Sequence, residues 1–355
     1  MLTIPEQNLF GLDISQSKLR LVQIRTKHRR KMITALRELR LPNGIIVDGE
    51  IADPKQLSQM VATIYRGKEL RDRIAGNGVI SVLPESKTFM KLITLPTSEA
   101  AQVETLLRDE IPRHIPLPLE EIYYDWQPLP NGADGKTHVL LGVAPKHLVD
   151  GYLAVLRAAG LLPFALEIEA APIARCLLKD AAADDQTVTV IIDMGAARTG
   201  LMVARSGVIQ FTVSLPVSGD RITHTISETL KISGQEAEEA KIVCGLDSER
   251  CQGALKKVLY ATFDDLVKKI ESSLDFYRDN FADAKPVGDI LLTGGGANFL
   301  NVDQILAERL QLPVHIGNPL TNVQLAKASV PATTLQSYAT AIGLALRSTH
   351  REAVI

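Results

Sequence analysis

Apolar and polar residues alternate over Leu9 to Ile14, Leu19 to Arg25 and Met32 to Leu39, and this two-residue period predicts three consecutive antiparallel, half-buried strands. A turn-rich connector runs from Leu41 to Glu50. Asp53-Pro54 then opens a predicted helix to about Arg66, because Asp caps a helix and Pro suits its first turn. A continuous apolar strand, Gly78 to Leu83, closes this first unit.

Residues 86–160 read as an inserted α+β module. Strand Thr88 to Leu95 leads to a helix capped by Ser98, running to about Ile111 and stopped by Pro112, Pro116 and Pro118. Strand Glu121 to Leu129, a Pro-Asn-Gly-Ala-Asp-Gly turn, strand His138 to Ala144 and helix His147 to Ala159 complete it. The chain returns through Phe164 to Ile168 and a helix from Ala171 to Leu178, and Asp180 to Asp185 forms a linker.

The opening pattern then recurs, with strands Val188 to Ile192, Gly200 to Arg205 and Val208 to Leu215. Helices follow at Gly219 to Leu230, Ser233 to Val243 and Val258 to Phe281. The last carries Leu259, Phe263, Leu266, Ile270, Leu274 and Tyr277 at steps of three and four, a core-facing stripe. Strand Asp289 to Thr293 runs into a triple glycine. A helix to Leu310, a strand near Val314 and a helix from Thr334 to Leu346 come last.

Composition narrows the field. With 355 residues, 46% hydrophobic, 23% charged and a net charge of −2, the chain reads as a soluble protein of two or three domains without the positive field of a nucleic-acid binder. The basic turn Thr26 to Lys31 is read as a solvated hairpin tip. The longest apolar stretch, Gly151 to Ala165, falls short of the roughly 20 residues of a membrane span. The first residues show no signal peptide, which predicts a cytoplasmic location. Cys176, Cys244 and Cys251 match no zinc spacing and are expected as separate reduced thiols, and no metal site from protein ligands is assigned.

The candidate chemistry lies in the repeated hairpin. Asp13 ends an apolar strand, Ser15 and Ser17 turn and Lys18 follows; Asp193 ends another, Gly195 and Ala196 turn, and Arg198 and Thr199 follow. Small residues let backbone N–H groups approach phosphate, and a strand-end carboxylate can hold a hydrated divalent cation. Gly294, Gly295 and Gly296 place bare backbone at the C-terminal edge of a strand, where α/β folds bind ligands. By spacing alone Glu238 and Lys241 are an i, i+3 ion pair on a helix.

The succession of hairpin, insertion, second hairpin, helices and glycine loop resembles the actin-like ATPase superfamily, an α/β, ribonuclease H-like, duplicated two-lobe fold. Leu41-Pro-Asn-Gly-Ile-Ile-Val-Asp-Gly-Glu-Ile51, the run Glu110 to Asp125, and Ser233 to Lys241 resemble the type IV pilus PilM family, relatives of FtsA. The resemblance implies subdomain 1A over 1–85, 161–185 and 335–355, an SHS2-like 1C over 86–160, 2A over 186–225 and 285–334, and 2B over 226–284. It implies ATP with Mg²⁺, the metal reached through water near Asp13 and Asp193. Asp13, Ser15, Ser17 and Lys18 would face the phosphates from one lobe and Asp193, Gly195, Ala196 and Thr199 from the other. Gly219 would lie at the cleft floor, Glu238 and Lys241 near ribose and adenine, and Gly294, Gly295 and Gly296 under the nucleotide. Ser15 stands where the family usually has Gly, and Arg198 where a small or apolar residue is more common.

The implied role is a cytoplasmic ATP-binding scaffold with weak or no hydrolysis. It would be held at the inner membrane through partners, other pilus platform proteins and the N-terminal cytoplasmic tail of PilN, docking in a groove between 1A and 1C built from residues 88–125. The alternatives are a small-molecule kinase, with Glu167 or Glu169 as base, a related secretion-system component, and an FtsA-like membrane filament, for which Arg347 to Ile355 offers a poor anchor.

Overall fold

A computed structural model describes residues 9–28, 30–67, 74–96, 99–129, 136–179, 186–281, 284–326 and 335–349. The first three strands are β1 (Phe10–Ile14), β2 (Lys18–Lys27) and β3 (Arg30–Arg40), joined as an antiparallel meander. The connector folds into a small hairpin of β4 (Ile46–Val47) and β5 (Glu50–Ile51), and α1 (Pro54–Arg66) starts on Asp53, whose side chain accepts the Gln56 N–H at 2.9 Å. β6 (Gly78–Leu83) pairs parallel with β1.

The insert holds β7 (Phe89–Leu95), α2 (Ala100–His114), β8 (Ile122–Pro128), β9 (Thr137–Pro145) and α3 (Lys146–Ala158). Its three strands form an antiparallel sheet in the order β7-β9-β8. α2 does not stop at Pro112 but continues to His114. Val103, Leu107, Ile111 and Ile115 are all buried, and this stripe at steps of four holds the last turn on the sheet although Pro112 donates no hydrogen bond. α3 buries Leu148, Tyr152, Val155 and Leu156 in the first-lobe core rather than against the insert's own core. The Ser98 cap, the turn at 130–135, the linker at 180–185 and the segment after Thr349 lie outside the described residues.

β10 (Leu162–Ile168) and α4 (Ala170–Leu177) return to the first lobe. β11 (Val188–Met194), β12 (Thr199–Arg205) and β13 (Val208–Leu215) make the second meander, followed by α5 (Gly219–Leu230), α6 (Gly234–Cys244) and α7 (Ala254–Asn280). Then come β14 (Val287–Thr293), α8 (Val302–Leu310), β15 (Val314–Ile316), β16 (Gln324–Leu325) and α9 (Ala339–Arg347). The first sheet has the order β10-β6-β1-β2-β3-β16 and the second β13-β12-β11-β14-β15. Read from opposite ends, β3-β2-β1-β6-β10 and β13-β12-β11-β14-β15 are the same arrangement of three antiparallel strands and two parallel ones.

β1 is buried along its whole length, not half-buried, because both faces are covered. Phe10, Leu12 and Ile14 face α1 and α3; on the other face α9 lies on the strand. A Cβ on Gly11 would overlap the Ala341 carbonyl and reach within 2.6 Å of the Ala345 nitrogen, so the small residue sets this close approach.

Cys244 and Cys251 are joined in a disulfide, with Cα atoms 5.8 Å apart, instead of being separate thiols. α6 ends at Cys244, and a short 3₁₀ turn, Arg250–Gly253, brings Cys251 back to it, a reversal that the sequence spacing does not reveal. Cys176 is free and buried.

Candidate functional site

The two β-hairpin turns converge on a cavity of about 690 Å³, lined by all fourteen residues singled out in the sequence. Strand register aims each aspartate. Asp13 lies opposite Arg20 on β2, and Asp193 opposite Gly200 on β12. Arg20 donates to Asp13 at 3.3 Å and to Glu38 at 3.0 Å, while Lys18 pairs with Glu38 at 2.7 Å. Burial works against the Glu38 charge, yet hydrogen bonds from Lys18 and Arg20 hold its carboxyl below the usual range. Burial pushes Asp13 upward, with Arg20 opposing.

The first turn is closed by the Lys18 carbonyl, which accepts the Ser15 N–H at 3.0 Å and its hydroxyl at 2.9 Å. In the second, the Gly195 N–H donates to the Arg198 carbonyl at 2.9 Å. The carbonyls of Gly195 and Ala196 accept the N–H groups of Gly219 and Asp220 at 3.0 and 2.9 Å, seating the start of α5 on the turn. The Thr199 hydroxyl donates to the Val217 carbonyl at 2.7 Å, and both residues line the cavity.

Gly294, at φ +80°, begins a 3₁₀ turn over Gly295–Asn298, and a Cβ there would overlap Asp193 Oδ1. Its N–H donates to the Gln336 carbonyl at 3.3 Å, tying the glycine loop to the segment before α9. On α6, Lys241 contacts Glu238 at 2.6 Å, the Thr223 hydroxyl at 2.8 Å and the Gly219 carbonyl at 3.2 Å, so the i, i+3 pair is real and also borders the cavity. The capping box of Ser233 and Glu236 fixes where α6 begins.

Among the described cavity residues, Glu85 and Arg20 were not singled out in the sequence, and they join Glu169 and Arg198, which were. Glu85 follows β6 in a short 3₁₀ turn, and its Oε2 lies 2.8 Å from where a Gly200 Cβ would stand. It takes the room that the missing side chain opposite Asp193 leaves. Its Oε1 is buried with no hydrogen-bond partner among the described residues. Burial, then the charge of Glu169, pushes Glu85 up to about 7, with Arg198 and a hydrogen bond from Thr212 opposing. Glu169, just before α4, is also raised, first by burial and then by Asp193 and Asp13. Asp193 is raised by burial and by Glu85 and Asp13. The four carboxylates thus make an acidic end to the cavity that favours bound protons or a cation. Among the described residues no three His, Cys, Asp or Glu are grouped to ligate a metal directly.

Glu167, equal to Glu169 on sequence grounds, is not in this cavity. It is clamped by Arg175 at 2.9 Å and Arg347 at 2.8 Å. That pair borders a second groove of about 800 Å³ beneath the insert's sheet, with Met90, Leu140 and Gly142 on one wall and Ala171, Ala174 and Leu178 on the other. A third wall comes from the β12–β13 turn, Ser206 to Ile209, in the second lobe. β8 is an edge strand of its sheet beside this groove. No helix among the described residues is long and apolar enough to cross a membrane.

The sequence family described as type IV pilus assembly protein PilM matches residues 11–349. The structure is similar to that of a PilM-PilN type IV pilus biogenesis complex, with a TM-score of 0.83 and 25% identity over 98% of this chain and 100% of that one. MreB5 of Spiroplasma citri bound to AMPPNP shares the fold, at a TM-score of 0.52 and 16% identity over 97% of this chain and 96% of that one. Cell division protein FtsA of Pseudomonas aeruginosa is 26% identical over 175 residues, 43% of this chain and 40% of FtsA. Type II secretion system protein L of Xanthomonas campestris is 31% identical over 77 residues, 22% of this chain and 21% of that protein. The chain thus spans less than half the length of these two curated relatives.

Proposed function

We propose a function from one premise: the chain belongs to the type IV pilus assembly protein PilM family. It is an actin-like scaffold of type IV pilus assembly that holds a nucleotide between its lobes and recruits the N-terminal tail of a PilN partner. The likeness to the PilM-PilN complex over the whole chain carries this reading. The cleft supports the nucleotide half, since two small-residue turns, a glycine loop and paired aspartates face one cavity of about 690 Å³, within the size range of small-molecule sites.

Asp13 and Asp193 are the residues that would hold a hydrated divalent cation, with Glu85 and Glu169 lining the same acidic end. Glu238 and Lys241 flank the nucleoside, with Gly294 to Gly296 beneath it. A bound nucleotide supplies a polyphosphate that touches both lobes at once. The partner groove supports the other half: it offers apolar walls and a strand edge, the two needs of extended-peptide capture. Location at the cytoplasmic face of the inner membrane follows from that partner.

Calorimetric titration of the full chain with Mg-ATP, repeated with a synthetic PilN tail peptide, tests both halves. We expect micromolar or tighter ATP binding and an affinity that changes several-fold when peptide is present. The absence of heat and of any thermal shift with Mg-ATP removes the nucleotide claim. A peptide that never binds removes the partner claim.

A further inference from the structure

The two turns carry their basic residues at equivalent places, Lys18 five positions after Asp13 and Arg198 five positions after Asp193. Their fates differ. Among the described residues four cationic side chains line the cavity, and three are committed to carboxylates: Lys18 to Glu38, Arg20 to Asp13 and Glu38, and Lys241 to Glu238. Arg198 forms no side-chain hydrogen bond or ion pair with any described residue. It still lies close enough for its charge to act on Glu85, Glu169 and Asp193. Its backbone is pinned, since its carbonyl accepts the Gly195 N–H at 2.9 Å. A fixed anchor therefore carries a guanidinium whose donors are unspent, at the acidic end of the cavity.

That placement has a chemical meaning for a polyphosphate. On the α6 side Glu238 and Lys241 are tied to Thr223 and Gly219, and Gly219 in turn donates to the Gly195 carbonyl of the second turn, so this side adjoins the turn that carries Arg198. With a nucleoside at α6, a phosphate tail that crosses the second turn would run toward Glu85, Glu169 and Asp193, which line the same cavity. The terminal phosphate carries the most charge and meets these carboxylates most directly. It is repelled unless a cation stands between. A guanidinium matches phosphate oxygens with two parallel N–H donors and stays charged at any working pH.

We propose that Arg198 is the residue by which this cleft prefers a nucleoside triphosphate to a diphosphate, its guanidinium forking onto the terminal phosphate in front of the carboxylates. The inference rests on the nucleotide reading of the cleft. A diphosphate ends short of Arg198 and does not use it. Lys18, the equivalent residue of the other turn, makes no such contribution while Glu38 holds it.

The test is calorimetric titration of the full chain, Arg198→Ser and Arg198→Lys with ATP and with ADP, each with Mg²⁺. We expect the unaltered chain to bind ATP more tightly than ADP. Arg198→Ser should lose at least tenfold in ATP affinity while ADP affinity changes less than twofold, which also shows that the variant is folded. Arg198→Lys, with the charge but not the fork, should recover part of the loss. An ATP-to-ADP affinity ratio that is the same in Arg198→Ser as in the unaltered chain overturns the proposal and leaves the nucleotide reading intact. An unaltered chain that binds neither nucleotide overturns both.

Discussion

Glu85→Gln isolates the electrostatic cost of the acidic cluster. The carboxyl is buried, leans on Gly200 across the lobe boundary and titrates at about 7 instead of 4.5, chiefly because burial disfavours its charge. A carboxyl whose folded value is raised binds more protons folded than unfolded, so its contribution to stability falls as pH rises from 4.5 through about 7. At 1.36 kcal/mol per pH unit, a rise from 4.5 to about 7 corresponds to about 3 kcal/mol opposing folding once the pH exceeds 8. Glutamine keeps the shape and the acceptor for Thr212 but carries no charge. Urea denaturation of both proteins at pH 5 and pH 8.5 should therefore show the variant gaining on the parent by about 2 kcal/mol between the two conditions. A stability difference that is the same at both pH values, or that moves the other way, refutes the assignment of Glu85 as a buried, charge-averse group.

Gly294→Ala places a Cβ at φ +80° against Asp193 Oδ1, and should cost about 1–3 kcal/mol in thermal or urea denaturation while weakening Mg-ATP binding in calorimetry. Gly11→Ala drives a methyl into the α9 backbone and should destabilise by about 1–3 kcal/mol, seen as a lowered melting temperature. Reduction of the Cys244–Cys251 bridge opens a short loop with a sequence separation of 7, for which chain entropy gives about 2–3 kcal/mol. A reductant should lower the melting temperature of the parent but not of a Cys251→Ser variant.

Elements set by local pattern were legible in the sequence, and pairings across the lobes were not. β13 and α1 fall where periodicity and capping place them, because alternation and the Asp53 cap are local signals. The fourteen candidate residues meet in one cavity because each sits on a strand end, turn or helix that its own neighbours determine. Glu85 carries no local signal. Its burial follows from the absence of a side chain at Gly200, more than a hundred positions away. Glu167 and Glu169 look alike in the sequence, yet they sit in different surroundings, one clamped by two arginines and the other facing the acid cluster. The disulfide was hidden in the same way, since only the reversal after α6 brings its halves together.

The seating of α9 against Gly11 has a consequence for how the protein is made. β1 is synthesised well over 300 residues before α9, so it finds one of its two covering layers only when residues 339–347 arrive, and β16 joins the edge of the same sheet only slightly earlier. The insert has its own core and the second lobe has its own as well, so both can fold while synthesis continues. The lobe that β1 belongs to is thus completed only after the second lobe's elements have been made. Until then the apolar strand at its centre waits with one face uncovered, and a nascent chain halted before residue 339 should be the species that chaperones hold.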